Sequence, residues 1–145
     1  MKSKKIKQDK TNLPVIEFDK LDFEDGEYSM KESSNLWKVW KVPTLYKEIK
    51  KLKLEPFDVP VASLETWTLP FEVDTMDDFV YQFKRVQDVD DTIPIVLDAY
   101  GQLADGNHRF AKALIEGKKT IKAYRLQKMP PPDKYVDEKN HTVLP

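Results

Sequence analysis

The sequence predicts an α/β (α+β) domain in which a small mixed sheet is flanked by at least three helices. Apolar residues recur at helical spacing over residues 76–86, which predicts an amphipathic helix. The apolar run at residues 93–97 is followed by a turn and a short return segment, which predicts a buried strand in a hairpin. Directly after that hairpin, Gly106 precedes a second helical pattern over residues 107–116.

Length and composition narrow the class of protein. The 145 residues fit one domain, and 40% hydrophobic with 34% charged residues is typical of a soluble globular chain. No apolar run approaches the roughly 18 residues of a membrane span, and no apolar leader follows the first lysines, so we expect a cytoplasmic protein. The chain has no cysteine, which excludes disulfides, thiolate metal sites and a cysteine nucleophile.

Charge is nearly balanced overall but differs between the two parts of the chain. The net charge is -1; residues 1–53 carry 13 lysines and 9 acidic residues, whereas residues 54–145 carry 11 basic and 16 acidic residues. A balance so near zero supplies no broad field for nucleic acid. We therefore interpret the basic front part as ordinary solvated surface.

The first 56 residues are predicted to add to the core rather than to form it. Residues 1–12 are polar and rich in lysine, which predicts a flexible basic arm. Residues 13–56 are predicted to be an N-terminal elaboration packed on the core, with a short strand over 15–18 and a loop over 24–35. A helix is expected to open at Pro43.

Two tryptophans of this elaboration alternate with lysines. Trp37 and Trp40 can be interpreted as a stacking surface for nucleic acid or as core anchors beside lysines whose charged ends reach solvent. We favour core anchors, because large aromatic side chains more often serve burial.

Residues 57–128 are predicted to form the main domain, and residues 129–145 a proline-rich extended tail. The expected elements of the main domain are a strand over 57–64, a helix capped by Thr75, the hairpin, a helix ended by Gly117 and a last strand over 120–126.

The segment after the hairpin concentrates the residues that favour an anion. Gly106 permits a positive φ and close approach of a ligand to the backbone. The amides of Asn107, His108 and Arg109 then fall in the first helical turn, where they lack intrahelical partners. Such a helix start attracts phosphate, and the Arg109 guanidinium is shaped for phosphate oxygens. The sequence therefore predicts a phosphate site at these four residues, with Asp105 just before it.

The order of these elements resembles that of the ParB/sulfiredoxin-like superfamily over residues 57–128. The similarity rests on the helix at 76–86, the strand at 93–97, the strand at 120–125 and the Gly-x-His-Arg sequence that begins at Gly106. Members of this superfamily hold the phosphates of ATP, ADP or CTP with this loop. The resemblance implies that Gly106, Asn107, His108 and Arg109 bind the phosphates of a nucleotide (ATP or CTP). If the protein is an enzyme, we expect Mg²⁺ to stabilise the charge of the reacting phosphate together with Arg109.

The resemblance also implies contacts from the preceding helix, where this chain offers Asp78 and Gln82. An aspartate repels phosphate unless a divalent cation bridges the two, so Asp78 is either a weak candidate for a metal ligand or outside the site; we favour the second interpretation. Two departures matter. Asn107 stands where sulfiredoxins carry their reactive cysteine, which excludes that chemistry. The loop also lacks the acidic residue of ParB partition proteins, so a clamp on DNA is not expected.

Three functions remain open from the sequence. The first is nucleotide binding with hydrolysis or phosphoryl transfer, for which Asp105 and His108 are the candidate catalytic groups. The second is a nucleic-acid-binding or nuclease-like module that uses the N-terminal lysines, with DNA as partner: Lys2, Lys4, Lys5, Lys7 and Lys10. The third is a nucleotide sensor without chemistry.

Overall fold

The computed structural model describes residues 4–8, 13–18, 26–139 and 142–144 and contains strands and helices in mixed order. The strands are β1 Lys4–Gln8, β2 Pro14–Phe18, β3 Glu27–Lys31, β4 Leu36–Lys41, β5 Phe57–Pro60, β6 Ile95–Leu97, β7 Leu103–Asp105, β8 Thr120–Arg125, β9 Lys134–Asp137 and β10 Thr142–Leu144. The helices are α1 Val42–Lys51, α2 Met76–Asp88 and α3 Asn107–Ile115. The predicted α+β class is confirmed.

The main sheet has the order β5-β8-β6-β7 and carries the site. Strands β6 and β7 pair antiparallel as the predicted hairpin, while β6 and β8 run parallel. All three residues of β6 are buried, and their alternation divides the core: Ile95 and Leu97 pack in one apolar cluster and Val96 in the other. The strand predicted over 57–64 ends at Pro60, where a short 3₁₀ helix, Val61–Ser63, follows.

A second sheet has the order β10-β9-β4-β3 and packs on α1 through its buried side chains. The loop predicted over 24–35 is wrong, since residues 27–31 form β3, whose alternating burial brings Tyr28 and Met30 against the core. The predicted proline-rich tail lies outside the main sheet, and two parts of it form the strands β9 and β10 of the second sheet. The pairing of β9 is not predictable from local sequence, because its partner β4 lies about a hundred residues earlier in the chain, and β10 in turn pairs with β9.

Trp40 anchors this second sheet. It is almost fully buried, and its indole Nε1 donates a hydrogen bond to the Pro130 carbonyl at 2.7 Å. The interpretation of Trp40 as a core anchor is therefore confirmed. The Trp37 indole donates to the Glu138 carboxylate at 3.1 Å.

The sequence predicts a flexible arm over residues 1–12 and a short strand over 15–18. Instead, β1 and β2 pair with each other as an antiparallel two-stranded ribbon, in which Ile6 lies opposite Ile16. The strand predicted over 15–18 is confirmed within β2. Lys2 and Lys10 lie outside the described residues.

Helix α2 begins as predicted, with a capping box between Thr75 and Asp78. Its burial follows the predicted stripe only in part, since Val86 is buried as expected. Met76, Phe79 and Phe83 of the apolar stripe are exposed, and the buried residues are Asp78, Tyr81 and Val86. Helix α2 packs against α3, where the Gln82 side chain contacts His108. Among the described residues, no helix is both long and apolar enough to span a membrane.

Candidate functional site

The N-terminus of α3 opens into a cavity of about 330 Å³. Residues 104–109 form one wall and α2 forms the opposite wall with Gln82, Arg85 and Val89. The rim is made by residues 70–72 and by Gly26 and Glu27 at the start of β3. The cavity therefore lies where the sequence predicts a phosphate site.

Gly106 sets the shape of the first wall. Its φ is +105°, and a Cβ built there would come within 2.6 Å of Ile95 Cγ2. A side chain would meet both backbone strain and a steric clash, because L-residues rarely adopt this conformation. The position is thus restricted to glycine, and the backbone passes directly from β7 into α3.

The first-turn amides of α3 are uncapped among the described residues. No side chain accepts a hydrogen bond at this helix start, and the first intrahelical bond runs from the Phe110 amide to the Gly106 carbonyl at 2.9 Å. The amides of Asn107, His108 and Arg109 therefore remain as donors at the cavity. This part of the prediction holds in the structure.

The Arg109 side chain departs from its predicted role. It is only 3% exposed, and its guanidinium donates to the Asp105 carboxylate at 2.8 Å and to the Tyr46 hydroxyl at 3.2 Å. A third bond reaches the Ile93 carbonyl at 3.3 Å. These internal partners occupy the fork that was expected to bind phosphate. We assign Arg109 to positioning of the loop, through its ion pair with Asp105 immediately before Gly106.

Arg85 supplies the cation that the motif does not. It lies half-buried on the α2 wall, and it makes no hydrogen bond or ion pair with any described residue. Burial lowers its pKa, because the charged form loses hydration, and the charges of Tyr81 and Asp105 offset this loss only in part. Sequence analysis missed Arg85, although it follows Gln82 by three residues and therefore shares its helix face.

His108 faces the same wall and is neutral. Its Nε2 lies 2.8 Å from the Gln82 Oε1, and its ring stacks on Phe71 with centroids 4.3 Å apart. Burial lowers the pKa of His108 to about 4, and the charges of Arg85 and Arg109 act in the same direction. The free protein therefore presents an uncharged imidazole at pH 7 rather than a second cation.

The two aspartates suggested for catalysis or metal binding are engaged within the protein. The Asp105 carboxylate accepts from Arg109 and from the Tyr46 hydroxyl, the latter at 2.9 Å. Asp78 accepts from the backbone amides of Asp74 and Thr75 at 3.0 and 3.1 Å, so it serves the α2 cap. No group of three or more His, Asp or Glu side chains able to hold an ion occurs in residues 4–8, 13–18, 26–139 and 142–144.

A further buried carboxylate, Asp98, has a structural task. It accepts from the amides of Tyr100 and Gln102 at 2.8 and 2.9 Å and thereby closes the turn between β6 and β7. The Tyr28 hydroxyl of the second sheet also donates to it, which ties the two sheets together.

The chain matches no protein-family model, no curated protein and no solved structure at significant similarity. The resemblance to the ParB/sulfiredoxin-like superfamily thus stays a prediction from the sequence.

Proposed function

We propose that this chain binds the phosphate groups of a nucleotide in the cavity at the N-terminus of α3. One observation carries the proposal: three uncapped amides line the cavity on one wall, and on the opposite wall lies the guanidinium of Arg85, which makes no hydrogen bond or ion pair with a described residue. The amides belong to Asn107, His108 and Arg109. Donors without internal partners are costly when buried, and an anion of phosphate geometry satisfies both sets at once.

The electrostatics of the two walls favour the same ligand. A helix N-terminus carries about half a positive charge, and Arg85 adds a full one beside it. An anion between them relieves the loss of hydration that lowers the Arg85 pKa. His108 adds a positive charge only after an anion has bound, because the anion raises the pKa of His108 from about 4 and favours its protonation.

The nucleotide part of the proposal rests on the sequence resemblance and on the rest of the cavity lining. Val42, Phe71 and Val89 give apolar surface next to the cationic end. A volume of about 330 Å³ falls at the lower end of the range for small-molecule sites. The described residues offer no group of three or more His, Asp or Glu side chains that could hold a metal ion by themselves, so a Mg²⁺ ion would depend on the phosphates of the nucleotide for most of its ligands.

Binding has stronger support than chemistry at this site. Asp105 is held by Arg109 and Tyr46, and His108 is held between Gln82 and Phe71. A general base needs free reach to the group that it deprotonates. We therefore propose phosphate binding as the function. Analysis of the reaction products would show whether the protein also hydrolyses the nucleotide or transfers a phosphoryl group.

Thermal unfolding with a panel of ligands tests the proposal: pyrophosphate, ADP, ATP, CTP and GTP, each with and without Mg²⁺, and a DNA duplex. We expect nucleotides to raise the midpoint, since a ligand at 100 times its Kd adds about 2.7 kcal/mol to the free energy of unfolding. Stabilisation by DNA alone, lost steeply with added salt, would favour the nucleic-acid alternative instead. No shift with any phosphate compound at millimolar concentration would overturn the proposal.

A further inference from the structure

Most charged groups that line the phosphate cavity are neutralised by a partner within the protein. Arg109 and Asp105 form an ion pair at 2.8 Å across the start of α3. On the rim, the Glu27 carboxylate lies 2.8 Å from the ammonium group of Lys134 on β9. These two pairs add little net charge, so the charge of the cavity depends on the lining residues that remain.

Two charged lining residues make no hydrogen bond or ion pair with any residue that the structure describes: Arg85 and Glu72. Arg85 lies on the α2 wall, opposite the first-turn amides of α3. Glu72 is exposed on the rim. The cavity therefore has a cationic end between α2 and α3 and an anionic rim.

The residue before Glu72 holds it at this rim. The Phe71 ring stacks on His108 with centroids 4.3 Å apart, which attaches the segment before α2 to the start of α3. Glu72 is the next residue in the chain and also lines the cavity. A glutamate carboxylate accepts hydrogen bonds and repels other anions, so Glu72 affects which ligands can reach the cationic end.

This charge distribution suits one phosphate group better than several. The first phosphate gains the attraction of Arg85 and of the helix N-terminus. In a cavity of about 330 Å³, the further groups of a di- or triphosphate lie closer to the rim, where the Glu72 carboxylate repels them. A nucleoside in that place instead offers hydroxyl and amino hydrogens, with which the Glu72 carboxylate forms hydrogen bonds as the acceptor.

We propose that the cavity selects a nucleotide with a single phosphate group, a nucleoside monophosphate, and that Glu72 discriminates against di- and triphosphates. The inference rests on the proposed function, which leaves the number of phosphate groups open. It differs from the ATP or CTP that the sequence resemblance implies. In this assignment the amides of α3 and Arg85 bind the phosphate, and Glu72 accepts hydrogen bonds from the nucleoside.

Calorimetric titration of the full chain with two matched pairs of ligands, AMP with ATP and CMP with CTP, tests the proposal in low salt without Mg²⁺. The triphosphate keeps its full charge when the cation is left out. We expect the wild type to bind the monophosphate at least about fivefold more tightly than the triphosphate of the same base. In Glu72→Gln this ratio should fall to about twofold or less, because glutamine has nearly the same size and no charge.

Glu116→Gln is the matched control. Glu116 is an exposed carboxylate directly after the last residue of α3, roughly 14 Å along the helix axis from the first turn at the cavity. This variant should keep the wild-type ratio. Added salt gives a second measurement that needs no variant, since salt screens exposed charges and should reduce the preference of the wild type for the monophosphate.

Three contrary results can be told apart. A triphosphate that binds the wild type as tightly as the monophosphate, or more tightly, would overturn this inference and leave the proposed function standing. A preference for the monophosphate that persists unchanged in Glu72→Gln would show that the size of the cavity selects the ligand, and it would refute the role of Glu72. Absence of binding by both compounds is the separate result that overturns the proposed function, and this inference with it.

Discussion

The two walls of the cavity each carry an arginine, and the two arginines are in opposite states. On the α3 wall, Arg109 is buried and bonded to Asp105, Tyr46 and the Ile93 carbonyl. On the α2 wall, Arg85 is half-buried and has no hydrogen bond or ion pair with a described residue. Arg109, which belongs to the Gly-x-His-Arg sequence, therefore has a structural role. Arg85, which lies outside that sequence, is the arginine that we propose for ligand binding.

The largest expected effect is on stability and comes from the α3 wall. Arg109→Ala leaves the Asp105 carboxylate without its cationic partner, and we expect the free energy of unfolding to fall by about 3 kcal/mol. Urea denaturation measures it. Lys84→Ala is the control, because its ion pair with Asp88 lies on the surface and should contribute at most about 0.5 kcal/mol. Equal losses for the two variants would contradict the structural role of Arg109.

A smaller expected effect is the pH dependence of stability that comes from His108, which lies between the two walls of the cavity. The folded-state pKa of His108 is about 4, below the ordinary value of 6.5 that the unfolded chain retains. The unfolded chain therefore binds the proton first as the pH falls, and stability decreases from about pH 6.5 to about pH 4. Because the ring is partly exposed, we expect a loss of about 1–2 kcal/mol.

The variant His108→Gln isolates this contribution from the carboxylates that titrate in the same range. Urea denaturation of both proteins from pH 7 to pH 4 gives the difference between the two curves. We expect the wild type to lose more stability than the variant. Parallel curves would show that the His108 pKa is not lowered by folding.

Local patterns predicted the elements of the main domain well. The Thr75 cap, the hairpin and the break at Gly106 depend on residues close in sequence, and all three were predictable. The pairing of β4 with β9 was not, because it joins segments far apart in the chain. Periodicity predicted that the apolar stripe of α2 is buried, which holds for Val86 but not for Met76, Phe79 and Phe83, since burial depends on what packs against the helix.

In the candidate site, too, local sequence predicts some features, while others depend on contacts between distant residues. The uncapped amides follow from the position of Gly106 before a helix, so sequence predicts them. Which arginine remains free depends on Tyr46 and Asp105, which meet Arg109 only in the folded chain. The role of Arg85 therefore required the structure.

The claim that Arg85 binds phosphate in the cavity is tested by calorimetric titration with pyrophosphate and ATP, in which the wild type is compared with Arg85→Met. Arg85 makes no hydrogen bond or ion pair with a described residue, so its loss should change the free energy of unfolding by less than about 0.5 kcal/mol. We expect affinity to fall by roughly tenfold to a hundredfold, as for a lost hydrogen bond to a charged group. Unchanged affinity in a folded Arg85→Met protein would contradict the account.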